Sequence, residues 1–383
     1  MHPSAPLLHL IVISLMAHIA LAGARITTSL YALSQQASEF TVGILIALFS
    51  LFPMLAAVPT GRLIDRVGII KPMLAACVAI ALGCALPGIV GGLTLLYLAA
   101  MLIGTGFMVI QVAAQHTVGA MSTTENRAAN FSWLALGFSI SGFCGPVIAG
   151  LLIDHAHYGV SFIVLGSFAI ASLLLTAYGR LTQISMHPRI AEERAGSTLD
   201  LLRDKDMRPI YLVGTLLSSA WDLFTFVLPI HGTHSGLSAS TIGFILGCFS
   251  MATFVVRLAM PWLARRVSEW HVLTAALLMA AICYALFPLA RQPFTLTIVA
   301  AALGLAVGSS QPNMLALLHQ HAPPGRTAEA VGLRITIGNA CQVVLPLAFG
   351  GAGAALGLSV VFWGMGAMIA AGIPLARHKI VRK

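Results

Sequence analysis

Charge is what this sequence has least of. Only 9% of its 383 residues are Asp, Glu, Lys or Arg, against about a quarter in an ordinary soluble domain. A chain so poor in charge cannot clothe itself against water, which excludes a freely soluble globule and makes lipid the natural solvent. Metal and redox motifs are missing as well. The six cysteines (Cys77, Cys84, Cys144, Cys248, Cys283 and Cys341) form no CxxC pair and all fall in apolar stretches. They read as small packing residues without a disulfide or metal role. The histidine pairs His155/His157, His231/His234 and His319/His321 have no Cys or Glu cluster nearby, so no metal site is expected from them. There is no GxxxxGKS/T phosphate loop and no stretch long enough for a nucleotide domain. An ATP motor within the chain is therefore excluded, and no cofactor is expected.

Long apolar runs are what the sequence does have. Crossing the hydrocarbon core as a helix takes about 20 apolar residues. Such runs occur at 8–31, 41–60, 72–90, 93–119, 130–153, 160–180, 209–230, 240–262, 271–290, 294–319, 331–354 and 358–376, twelve in all. Barrel strands are short and alternate apolar with polar, so the fold class is an all-α membrane protein. The first run lacks a basic start and is too long for a signal peptide's apolar core, and it reads as a retained helix.

The excess of 21 basic over 12 acidic residues invites a nucleic-acid partner. Its placement argues for the bilayer instead. Counting connections from a cytoplasmic N-terminus, seventeen basic residues lie inside, among them Arg62, Arg66, Lys71, Arg127, Arg265 and Arg266, while the outer loops hold only Arg291. This is the positive-inside pattern, which sets both termini in the cytoplasm.

Comparing the chain with itself at an offset of 200 residues reveals a repeat. Thr41-Val42-Gly43 faces Thr241-Ile242-Gly243, Phe49-Ser50 faces Phe249-Ser250, and Arg66-Val67 faces Arg266-Val267. Gln111, Pro146 and Gly150 face Gln311, Pro346 and Gly350. An even number of crossings separates equivalent residues, so the copies are parallel. The expected organisation is a six-helix bundle over 1–180, a cytoplasmic linker over 181–208, and a second six-helix bundle over 209–383.

The connection after the second run reads Gly61-Arg62-Leu63-Ile64-Asp65-Arg66-Val67-Gly68, with Lys71 shortly after. It resembles the signature loop of the major facilitator superfamily, G-x-L-x-D-R-x-G-R-K, at Gly61, Leu63, Asp65, Arg66 and Gly68. The glycines suit a tight turn and close helix approach. The resemblance covers the whole chain and implies two six-helix bundles around a mid-membrane cavity, alternating access, and a monomer. It also implies that Asp65 faces the eleventh helix and joins Arg66 and Arg127 in a charge cluster that latches one conformational state. The plainer reading is a positive-inside loop. In the second copy Arg265 replaces the acid, so the latch is one-sided.

The fifth run carries Gly137, Gly142, Gly145, Pro146 and Gly150. It is similar to the glycine-proline pattern of proton-coupled drug antiporters, with Ser141-Gly142 where that pattern has Gly-Pro. Close helix packing explains small residues equally well. Those antiporters carry a fourth-helix arginine where this chain has Ala100, and their first-helix acids are missing here.

Ionisable groups inside a bilayer cost about 2.5–3.5 kcal/mol each and are functional candidates by default. This chain has His18, Arg25, Asp222, Arg257 and Arg334, with His116 nearer a helix end. His18 and Arg25 share one face of the first helix. The repeat maps that face onto Ser218, Asp222 and Thr225. The expectation is that Arg25 and Asp222 approach across the pseudo-twofold axis, as an outer-gate pair, as part of a substrate site, or as a structural ion pair. Gln111 and Gln115 share a face of the fourth helix; Gln311 and Asn313 flank Pro312, which is expected to kink the tenth. These amides suit an oxygen-rich ligand or inter-helix hydrogen bonds. Arg257 and Arg334 either snorkel to headgroups or face inward, where three arginines against one aspartate favour an anion. Trp221 and Asn339 are further lining candidates. Asp222 and His18 are the candidates for carrying a proton.

The function these residues support is secondary transport of a small organic anion, coupled to protons, in a bacterial inner membrane. Efflux of neutral or cationic drug-like compounds stands beside it, as does a sensor on the same fold. No nucleophile–base pair shares a helix face, so no enzyme is expected.

Overall fold

The computed structural model describes residues 4–123, 127–179, 198–263, 266–323 and 326–381. For residues 57, 58, 65, 127–129, 198, 199, 261, 327–329, 331, 332 and 381 it describes the backbone only. Among the described residues the regular structure is helical, without a strand. The first half holds α1 (Ala5–Ser34), α2 (Glu39–Val67), α3 (Ile70–Ile89), α4 (Leu93–Met121), α5 (Arg127–His155) and α6 (Tyr158–Tyr178). A short α7 (Thr198–Arg203) precedes α8 (Met207–His234), α9 (Ala239–Leu263), α10 (Glu269–Leu286), α11 (Pro293–His321), α12 (Thr327–Leu356) and α13 (Leu358–Val381). All but α7 are long and apolar enough to cross a membrane, twelve among the described residues. Each of the twelve apolar runs maps onto one of them; nine lie wholly inside, while 72–90, 160–180 and 271–290 run past the ends of α3, α6 and α10 by one to four residues.

The largest extension is informative. The signature residues Gly61 to Val67 form the last two turns of α2 and not a loop. The helix stops at Gly68, whose φ of 77° is a left-handed conformation that suits glycine. Among the described residues nothing lies within 4 Å of where a Cβ on Gly61 would stand, so none of them accounts for it by close helix approach. α11 runs unbroken through Pro312. Part of the expected linker is also ordered. Asp204 Oδ1 accepts from the backbone N–H of Asp206 and of Met207, at 2.9 Å each, and so caps α8. Residues 180–197 lie outside the described residues.

The chain clusters into two compact units. One contains Met1–Ala37, Ile44–Ala191 and Gly236–Gly247; the other contains Ser38–Gly43, Glu192–Ser235 and Cys248–Lys383. In the first, α1 packs on α4, α5 and α6, and α3 on α4 and α6. In the second, α8 packs on α11, α12 and α13, and α10 on α11 and α13. The packing repeats as the sequence does.

Many of the repeat-matched residues are contact points. A Cβ on Gly104 would meet the Phe49 carbonyl in the first unit, and one on Gly304 would meet the Phe249 carbonyl in the second. Gly243 lies against the Pro146 carbonyl and Gly150; Gly43 lies against the Pro346 carbonyl and Gly350. Backbones that approach this closely leave no room for a side chain, and each copy solves the problem with the same residues.

Candidate functional site

In the first unit the site begins where α1 meets α5. A Cβ on Gly145 would stand 2.9 Å from Ala22 Cβ and from the Gly23 nitrogen, so the two helices touch backbone to backbone. Stepping back about one turn along each helix brings His18 to Ser141. His18 Nδ1 lies 2.6 Å from Ser141 Oγ. The imidazole clusters with two aromatic rings, 4.9 Å from Phe107 on α4 and 5.2 Å from Phe138 on α5, which touch each other at 6.0 Å. Gly137, Gly145 and Gly150 of α5 all face close neighbours, so packing accounts for much of that helix's glycine pattern. Arg25 lies about two turns beyond His18 on the same helix. On α4, Gln111 is half-buried and Gln115 exposed, and neither hydrogen-bonds to a described residue.

The second unit gathers a different set. The Arg257 guanidinium on α9 lies 5.8 Å from the centroid of the Trp221 ring on α8, and its Nη2 donates to Gln311 Oε1 on α11 at 3.2 Å. Trp221 is in turn braced edge-on by Phe249 at 4.8 Å. Arg257 therefore turns toward helices of its own unit. The repeat position of Arg257 is Ala57, which leaves Gln111 without the cation that Gln311 holds. Asp222 is buried beside Trp221 on α8. Asn313 is buried, and its amide nitrogen donates to the Ser309 carbonyl at 2.7 Å and to Met260 Sδ at 3.3 Å, so packing takes up its donors. Asn339 is half-buried on α12.

Arg334, also on α12, shares one feature with Arg257: the guanidinium Nε of each is buried without a hydrogen-bond partner among the described residues. No described acid pairs with Arg334. A guanidinium is costly to leave uncompensated in a low-dielectric interior, and a planar carboxylate is the group that fits its fork of donors.

Of the expected latch, Arg66 is exposed at the end of α2, and the side chains of Asp65 and Arg127 lie outside the described residues. Arg25 and Asp222 fall in different units. Among the described residues no cluster of His, Cys, Asp and Glu suits a metal. The sequence did not single out Phe107, Phe138 or the acids at the helix ends, Glu39 and Asp154. Ser141 was visible only as a departure from a glycine-proline pattern.

A family model for the Major Facilitator Superfamily matches residues 10–339 and 210–382. The chain belongs to the major facilitator superfamily. It is thus an integral membrane protein of the twelve-helix type. Among relatives, it is 21% identical over 232 residues to the uncharacterized MFS-type transporter YfkF of Bacillus subtilis (strain 168), covering 60% of this chain and 58% of that one. The match thus spans little more than half of that relative's length. It is 24% identical over 325 residues to the tetracycline resistance protein, class B, of Escherichia coli, covering 80% and 77%. Among solved structures, a POT family transporter in complex with a thioalcohol conjugated peptide superposes with a TM-score of 0.81 at 14% identity, over 98% of this chain and 95% of that one. That likeness concerns the fold.

Proposed function

We propose that this superfamily member is a secondary transporter that carries a small carboxylate-type anion together with a proton, by alternating access. Arg334 carries the reading. A cation whose Nε is buried without a partner is an expense that a structural role does not justify, whereas an incoming anion offsets it. Arg257 adds a second guanidinium in the same unit, held by Gln311 and 5.8 Å from the centroid of the Trp221 ring, within cation–π reach. His18 and Asp222 are the proton carriers in this reading. The arrangement of basic residues supports cytoplasmic termini in a bacterial inner membrane.

The test is thermal unfolding of the detergent-purified protein with a panel of small carboxylates, cationic drugs and neutral amphiphiles. A ligand at 100 times its Kd adds about 2.7 kcal/mol to the folded state. Carboxylates are expected to stabilise the wild type, and Arg334→Gln and Arg257→Gln are expected to abolish the gain. Stabilisation by cationic or neutral amphiphiles with none from carboxylates overturns the anion reading.

That outcome would promote a second one, efflux of drug-like compounds. Two observations favour it: the relationship to a tetracycline resistance protein over 80% of the chain, and the aromatic neighbours of His18. Counterflow in proteoliposomes separates either transporter from a ligand sensor, which binds without moving its ligand.

A further inference from the structure

The Ser141 hydroxyl has more acceptors around it than hydrogens to give. Its Oγ lies 3.0 Å from the carbonyl oxygens of both Gly137 and Phe138, where a helical serine characteristically donates back along its own helix. It also lies 2.6 Å from His18 Nδ1. A hydroxyl owns one hydrogen and two lone pairs. With that hydrogen shared between the two carbonyls, what remains for His18 is a lone pair. In that arrangement the imidazole is the donor.

We infer that Ser141 is a positioning residue that fixes neutral His18 as the Nδ1–H tautomer and so presents Nε2, unprotonated, as the proton acceptor of the first unit. Nε2 makes none of the hydrogen bonds found among the described residues, and it is not among the polar atoms sealed away without a partner. Nε2 is thus left without a described hydrogen-bond partner, on a half-buried ring. Phe107 and Phe138 lie against the ring from α4 and α5 and offer no competing acceptor. The proton balance is simple. Water delivers one proton to Nε2, giving an imidazolium whose Nδ1–H stays on Ser141, and the same proton leaves to water when the neutral ring returns.

The other titratable groups lie farther off. Arg25 lies about two turns along α1 from His18. His9, the other way along α1, is tied to the Leu175 carbonyl at 2.9 Å. On α6, Tyr158 meets Tyr31 near the far end of α1. Cys144 lies about one turn from Ser141 on α5, and His116 lies two to three turns from Phe107 on α4.

The inference rests on His18 being a proton carrier, but its test does not need transport. The full-length protein, labelled with 15N-histidine, would be reconstituted in lipid and examined by solid-state NMR. His18→Gln identifies the His18 signals by subtraction. In the wild type at neutral pH, Nδ1 is expected to be protonated and Nε2 bare. Losing the serine acceptor in Ser141→Ala should shift the tautomer ratio toward Nε2–H by about tenfold, and Ser141→Thr, which keeps the hydroxyl, should restore it. A wild-type His18 protonated at Nε2 overturns the inference. So does a tautomer ratio unmoved by Ser141→Ala. If the tautomers behave as expected while carboxylate uptake moves no proton in pH-dye-loaded proteoliposomes, the positioning role stands and proton coupling falls.

Discussion

The two copies of the repeat build the same joint in different ways. At one, Asp154 at the end of α5 reaches the start of α9. Its two carboxylate oxygens accept from the backbone N–H of Ala239 at 3.0 Å and of Ser240 at 2.7 Å. At the repeat-related joint, α12 approaches the start of α2. The residue matching Asp154 is Ala354, and the one matching Ala239 is Glu39. The acid has moved from the capping helix to the capped one. A carboxylate at the end of α5 satisfies two orphan donors and meets the positive end of a helix dipole. A carboxylate on the first turn of α2 still favours the dipole, but Glu39 Oε2 is buried against Gly353 without a hydrogen-bond partner, and Oε1 has His234 at 3.8 Å. The lesson is that a duplicated fold conserves its backbone contacts more strictly than its polar ones.

The strongest test of that statement concerns what the joints share. Gly43 and Gly243 each pack on the carbonyl of the matching proline, Pro346 or Pro146, with no space for a methyl group. Gly43→Ala and Gly243→Ala are each expected to cost about 1–3 kcal/mol by overpacking. The two losses should be equal within error in thermal unfolding of the purified protein. A large inequality would mean that the joints are not mechanically equivalent.

The next effect concerns what they do not share. Asp154→Ala removes a cap and should cost about 1 kcal/mol, while Asp154→Asn, which keeps one acceptor oxygen, should cost less. The cap should also be transferable. Ala354→Asp in the wild type brings a second carboxylate toward Glu39 and should destabilise. Combined with Glu39→Ala, it recreates the arrangement at the other joint and should recover the loss. If the double variant is no better than Ala354→Asp, the joints differ in backbone geometry as well as in side chains.

These joints also mark what could be read from the sequence. The pairs Gly43/Gly243, Pro146/Pro346 and Gly150/Gly350 stood out in the repeat because backbone contact tolerates few residue types, so both copies kept them. The twelve helices were visible because crossing lipid fixes length and composition together. Asp154 was invisible as a cap, since its partners lie 85 and 86 residues away and a backbone N–H leaves no trace in sequence. His18 and Ser141, 123 residues apart, were each noticed for another reason, and the packing of α1 on α5, closest around Gly23 and Gly145, brings them together. Gln311 was paired in sequence with its repeat mate Gln111, although its structural partner is Arg257. Helical periodicity identifies a shared face on one helix; it does not say which helix that face meets.

The smallest effect is expected from His234. Its Nδ1 stands 3.8 Å from Glu39 Oε1, beyond hydrogen-bond range, and its side chain is 54% exposed. The pair is charged on both sides only when the imidazole is protonated. An ion pair this long and this wet contributes little, and His234→Gln should change the unfolding free energy by less than about 0.5 kcal/mol. Glu39 would then be held by the helix end it caps electrostatically and by the glycine surface of α12, with His234 as a bystander. A loss exceeding that of Asp154→Ala would reverse the ranking: the Glu39 joint would owe its strength to a titrating pair, and charge would have replaced the cap that Ala354 cannot supply.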